Sequence, residues 1–189
     1  MKVKDCVRSA AVGLETASIE EASIEAELLV MHVLGLDRVG LYAALEDDLM
    51  PSCGEALSEL VERRRAREPL AYITGRREFF GLDFYVAPGA LIPRPETELL
   101  VEETIVFVNR HFPDADPVIA DIGTGSGAVA VSLAASLPRA KVYAVDISAR
   151  ALEIARVNRL RHGVQVELLQ GDLLSPVPDA IDIVVANLP

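Results

Sequence analysis

The chain has 189 residues, 51% of them hydrophobic and 25% charged, with a formal net charge of -11. That length allows one large domain or two small ones and is enough to bury a real core. The acidic balance excludes broad, charge-driven nucleic-acid binding, which needs a basic face, and no apolar stretch approaches the roughly eighteen residues of a membrane span. The start, Met1-Lys2-Val3-Lys4-Asp5, has no continuous apolar signal core, so a cytoplasmic location is expected. Cys6 and Cys53 lie far apart and form no metal or redox spacing, and His32, His111 and His162 are scattered. No metal site is expected.

Residues 1–75 read as helical. Ser23 is placed to cap a helix over 24–34, with Gly35 as its stop and Ile24, Leu28 and Met31 as its packed stripe. A second helix starts near Pro51, carries Leu57, Leu60 and Val61 inward, and ends before Pro69. Its basic run, Arg63-Arg64-Arg65-Ala66-Arg67, fits a solvated helix end that complements the helix dipole, or alternatively a partner-docking or RNA-contacting patch.

Aromatic and β-branched residues then flank Gly81 over 78–86, which predicts a hairpin, and Pro88-Gly89, Pro93 and Pro95 follow as stiff connectors. The domain boundary falls here, giving a helical domain over 1–75, a hairpin linker over 76–95 and a third region over 96–189. In that region a helix over 98–108, a strand over 118–121 and a helix over 128–137 precede a strand over 141–146. Ser148 caps a helix that Gly163 closes, and strands follow over 164–169 and 181–186. Alternation of this kind implies right-handed crossovers and a parallel sheet covered on both faces. The unbroken apolar character of Ile181, Ile183, Val184 and Val185 predicts an interior strand.

The chemistry concentrates at the ends of these strands. Gly123-Thr124-Gly125-Ser126-Gly127 joins a strand to a helix, where glycines let backbone approach a ligand closely and the helix start offers N–H groups. With Ala128 it also satisfies the relaxed dinucleotide pattern Gly-x-Gly-x-x-Gly/Ala. Asp146 ends the next strand, where a carboxylate can accept both ribose hydroxyls of a nucleoside. Asp172 and Leu173 follow the third strand, positioned for an adenine edge and face. At Asn187-Leu188-Pro189 a side-chain oxygen and backbone carbonyls can accept the two N–H hydrogens of a planar amide or aromatic amine. The nitrogen is thereby positioned rather than deprotonated. That group favours methyl transfer over nicotinamide chemistry; on its own the tripeptide would be a turn.

The chain resembles the protein-(glutamine-N5) methyltransferases that modify peptide-chain release factors, the HemK/PrmC type. The most specific residues are Arg67-Glu68-Pro69-Leu70-Ala71-Tyr72-Ile73-Thr74-Gly75, Glu78-Phe79-Phe80-Gly81-Leu82-Asp83-Phe84 and Leu91-Ile92-Pro93-Arg94-Pro95-Glu96-Thr97-Glu98. The resemblance implies a small helical substrate-recognition domain, a hairpin linker and a Rossmann-like α/β methyltransferase domain. It implies S-adenosyl-L-methionine held by Gly123, Thr124, Gly125, Ser126 and Gly127, by Asp146 at the ribose, by Asp172 and Leu173 at the adenine, and by Asn187. Arg94 and Thr97 would border its methionine end. The glutamine of a release factor's Gly-Gly-Gln (GGQ) loop would meet Asn187, Leu188 and Pro189, with Asn187 catalytic. No nucleic-acid or membrane partner is implied.

Leu188 departs from the family's Asn-Pro-Pro-Tyr clamp but keeps a backbone carbonyl. The aromatic residue and the strands expected beyond Pro189 do not follow, which predicts a fragment of a longer protein. A ribosomal-protein glutamine is the near alternative as target. An amino group on a nucleic-acid base, an NAD-dependent oxidoreductase and a non-catalytic binding module are the more distant ones.

Overall fold

Val3, Cys6, Ala10 and Leu14 recur at three- and four-residue spacing, so a helix places all four on one stripe. A computed structural model, which describes residues 1–188, buries that stripe in α1 (Val3–Thr16). The chain divides into two units, Met1–Thr74 and Gly75 onward.

The first unit adds α2 (Ala22–Leu34), α3 (Arg38–Ala43), α4 (Pro51–Arg65) and α5 (Leu70–Thr74). Its core gathers Leu14, Ala26, Leu29, Val30, Leu41, Leu57, Val61 and Ile73, with Leu60 packed at its margin. Gly35 ends α2 in the left-handed conformation, and the Leu36 N–H closes back on the Met31 carbonyl at 3.0 Å. Two expectations for α2 need correction. Ser23 does not cap it: the helix starts two residues earlier, at Ala22, Glu21 holds the cap position, and no side-chain cap bond forms. The inward stripe is Ala22, Ala26, Leu29 and Val30, while Ile24 and Leu28 face solvent. Alanines weigh little in a hydrophobic pattern but allow close helix packing, so the stripe turns toward them.

The arginine run closes α4 and turns inward to its own unit. Arg63 grips Glu68 through two bonds of 2.8 and 2.6 Å, Arg65 pairs with Glu62, and Arg64 pairs with Glu25. Arg67 donates to the carbonyls of Ala17 and Ser18. Arg63, Arg64 and Arg65 are thus each matched by a carboxylate of the same unit, while Arg67 meets carbonyl oxygens.

The second unit opens with an antiparallel hairpin, β1 (Arg76–Phe79) and β2 (Leu82–Tyr85). Its two-residue turn, Phe80-Gly81, has positive φ at both positions (52° and 71°), as the twist of a tight hairpin demands. Phe79 and Phe84 meet edge to face at 6.0 Å and bury in this unit's core with Val101, Val108, Ile119 and Leu133. After a 3-10 turn at Pro95–Thr97 come α6 (Glu98–His111), β3 (Val118–Ile122), α7 (Ala128–Ser136) and β4 (Lys141–Asp146). Then follow α8 (Ala149–His162), β5 (Glu167–Gln170) and β6 (Ile183–Ala186). Ser148 caps α8 through the Ala151 N–H, and Gly163 closes it in the left-handed conformation, as predicted.

The four-stranded sheet is parallel throughout, in the order β5-β4-β3-β6. Both of the last strands start later than the sequence pattern suggests. Among the described residues β6 pairs with β3 alone and Val184 stands 51% exposed, the open edge expected of this apolar strand where the strands beyond it do not follow. No helix among the described residues is long and apolar enough to cross a membrane.

Candidate functional site

Register assembles the site. Ile122 lies level with Val145 on one side and with Ala186 on the other, and Asp146 lies level with Gln170. The next residues along each strand therefore emerge at one edge of the sheet, the carboxyl edge where open α/β sheets bind ligands. There Gly123, Gly125, Asp146, Asp172, Leu173, Asn187 and Leu188 line one cleft of about 320 Å³. Sequence reasoning named all seven. It gave no site role to Gly89, Ala90 and Leu91, which supply another wall, or to Ile147.

The glycine loop is shaped from beneath. Gly123 and Thr124 both donate their N–H groups to the Val145 carbonyl at 2.9 Å. The Thr124 hydroxyl is buried and donates to Asp121 Oδ2 at 2.6 Å, and the same oxygen accepts the Ala130 N–H at 3.2 Å. Asp121 thus covers one of the N–H groups that the start of α7 leaves free. Burial pushes its carboxyl up to about 6, aided by the charge of Asp146, while the two hydrogen bonds pull the other way. Ser126 is buried too, its carbonyl accepting from Asn158 Nδ2 at 2.8 Å. Thr124 and Ser126 are therefore placed under the loop and do not line the cleft.

Gly125 and Gly127 serve different ends. A side chain at Gly125 would meet nothing nearer than the Gly123 carbonyl at 4.0 Å, so the space above it is open to a ligand. One at Gly127 would sit 3.0 Å from the Ala155 Cβ, which makes this glycine a packing contact between the loop and α8.

Asp146 ties the cleft together. Its Oδ2 accepts the Gly125 N–H and its Oδ1 the Ser148 N–H, each at 2.9 Å. A carboxylate oxygen has two lone-pair sites, so both retain one for a diol. Beyond it, Ile147 (72% exposed) and Leu173 (55% exposed) offer apolar faces at the cleft. Leu173 does so from a positive φ of 48°, a costly conformation for a bulky residue. A diol acceptor, apolar walls and an open glycine cradle fit a nucleoside, and these residues fit S-adenosyl-L-methionine.

Asn158 is the main residue that sequence reasoning missed. It is fully buried on α8, donates to the Tyr85 and Ser126 carbonyls at 2.9 and 2.8 Å, and accepts the Tyr85 N–H at 2.7 Å. One amide thereby joins the hairpin to the glycine loop. Its signal was a polar residue on the face shared by Ala151, Ile154 and Ala155.

Asn187 lines the first cleft and also a second cavity of about 670 Å³, formed with Arg94, Pro95, Glu96, Thr97, Leu100 and Ala186. Arg94 and Thr97 are thus placed in this second cavity and do not line the first. Asn187 Nδ2 donates to Thr97 Oγ1 at 2.8 Å, which leaves its Oδ1 as an acceptor. Leu188 lays its side chain close over Gly123. Pro189 lies outside the described residues.

Residues 98–189 match the methyltransferase small domain family, and residues 5–75 match the PrmC N-terminal domain. Among solved structures, the 16S rRNA N2 G1207 methyltransferase of T. thermophilus is 22% identical, with a TM-score of 0.49 over 60% of this chain and 32% of that one. The sheet order, the glycine loop and the cleft define a Rossmann-like methyltransferase domain of the S-adenosylmethionine-dependent class. The chain is 43% identical over 192 residues to the release factor glutamine methyltransferase of Moorella thermoacetica, covering 100% of this chain and 67% of that protein. It belongs to the release factor glutamine methyltransferase family. The enzyme of that name from Geobacter sulfurreducens is 46% identical over 177 residues, covering 93% of this chain. The chain spans 61% and 67% of the lengths of these two relatives.

Proposed function

We propose that this protein transfers the methyl group of S-adenosyl-L-methionine to the side-chain amide nitrogen, N5, of the glutamine in the GGQ loop of peptide chain release factors. The observation that carries this reading is the position of Asn187, which lines both the cofactor cleft and the neighbouring cavity. A group shared by two cavities can hold one reactant against the other.

Bound in the first cleft, the cofactor supplies an electrophilic methyl group on a sulfonium. The chain's own residues bind and orient. Asp146 would accept the ribose hydroxyls, Ile147 and Leu173 would hold the base with Asp172, and Gly125 would give the ligand room. On the target side, Asn187 Oδ1 accepts one N–H of the glutamine amide, and the backbone carbonyl of Leu188 takes the other. An amide nitrogen is a weak nucleophile because its lone pair is delocalised, so the two acceptors lower the barrier by positioning it rather than by strong base chemistry. Asn187 is on this reading the catalytic residue.

The helical unit is the proposed substrate-recognition domain, supported by its match to the PrmC N-terminal domain. The internal pairing of Arg63, Arg64, Arg65 and Arg67 argues that recognition uses other surfaces. A release factor is a cytoplasmic partner, and the reading calls for no direct nucleic-acid contact.

Incubating the full-length protein with labelled cofactor and purified release factor, then mapping the label by mass spectrometry, tests the proposal. The label should fall on the glutamine of the GGQ loop. Label on a ribosomal-protein glutamine instead would reassign the target, and cofactor binding with no transfer to either would refute the activity.

A further inference from the structure

Thr97 holds the N-cap position of α6, where a threonine ordinarily spends its hydroxyl on a free N–H of the first helical turn. Here it does not. The 3-10 turn at Pro95–Thr97 runs directly into α6, so the Thr97 backbone is already helical (φ -72°, ψ -17°) and no side-chain cap bond forms. The hydroxyl instead takes the Asn187 Nδ2 hydrogen bond at 2.8 Å, between residues 90 positions apart in sequence. Both residues line the cavity on the target side.

Asn187 is exposed, and a free asparagine amide turns readily about its last torsion. One end of that amide donates and the other accepts, so only one orientation can receive an N–H from a target. A threonine hydroxyl can meet either end. Its contribution is to hold the plane of the amide, and the target's N–H, which needs an acceptor, then selects the oxygen. Without the hydroxyl, each productive encounter would have to freeze that torsion as well.

We propose that Thr97 is a positioning residue for methyl transfer, holding the plane of the Asn187 carboxamide where its oxygen can meet the target N–H. The inference rests on the amide-clamp reading of Asn187.

Thr97→Val keeps the shape and removes the hydroxyl; Thr97→Ser keeps the hydroxyl. In the full-length protein acting on a release factor, Thr97→Val should lower kcat about tenfold or more, with cofactor Kd changed less than about twofold. Thr97→Ser should recover activity to within about threefold of the parent. In NMR spectra, the Asn187 side-chain NH2 signals should move to free-amide positions in Thr97→Val and stay in place in Thr97→Ser. Unchanged kcat in Thr97→Val, beside an inactive Asn187→Ala, would overturn the inference and leave the clamp standing. Full activity in Asn187→Ala would overturn the clamp itself. Equal impairment of the valine and serine variants, with the NH2 signals unmoved, would make Thr97 a structural residue only.

Discussion

At Asp121 a carboxyl sits out of water with a hydroxyl and a single backbone N–H as its recorded partners. Its ordinary value is 3.8, and burial raises it to about 6 in the fold. Between those values the folded chain binds a proton that the unfolded chain has released. This group therefore lowers stability as pH rises from about 4 to about 6, and its full cost, on the order of 3 kcal/mol, applies above that window. Asp121→Asn should flatten that segment of the stability curve, as read by urea denaturation across it. An unchanged slope would mean that the carboxyl is not its source. Asn158 raises the opposite issue, since its buried amide satisfies three backbone groups, the Tyr85 N–H and the carbonyls of Tyr85 and Ser126. Asn158→Leu should cost about 2–4 kcal/mol in chemical denaturation and weaken cofactor binding, because Ser126 loses its partner. A variant as stable as the parent would show that those backbone groups find other partners.

Among the elements, the turn from β3 into α7 separates binding from packing within five residues. Gly125→Ala adds a methyl group to open space at φ 55°, so it should cost about 1 kcal/mol of stability while sharply reducing cofactor affinity. Gly127→Ala drives its methyl group against Ala155 at φ 81° and should lose more stability, about 2–4 kcal/mol. Thermal melts paired with cofactor titrations distinguish the two, and equal melting temperatures would contradict the division. What was legible in the sequence was local chemistry. The Ser148 cap, the Gly163 stop, the strand ending at Asp146 and the glycine loop each depend on neighbours within a few residues. What was hidden depended on distance. Asn158 meets Tyr85 across 73 positions, and Asn187 meets Thr97 across 90. The wall at 89–91 showed only a connector at Pro88-Gly89 and a family-specific Leu91, neither of which marks a cleft, and the α2 stripe differs because alanine packs better than its hydrophobicity suggests.

Across the whole molecule, an acidic chain keeps its densest cationic run for internal pairing. Arg64 and Glu25 are the most enclosed of these pairs, with side chains 16% and 13% exposed. Arg64→Ala should cost about 1–3 kcal/mol, because it strands a carboxylate with little water around it, and salt should recover almost none of that loss. Full recovery of the melting temperature at high salt would mark the pair as a surface one. The two cavities that share Asn187 have a broader consequence. A side chain common to two ligands makes their binding free energies interdependent, and thermodynamics requires the dependence to be mutual. Whatever factor the occupied cleft adds to or takes from target affinity, the bound target must return to the cofactor. Titrations run in the two orders should close on the same number, and Asn187 would set its size.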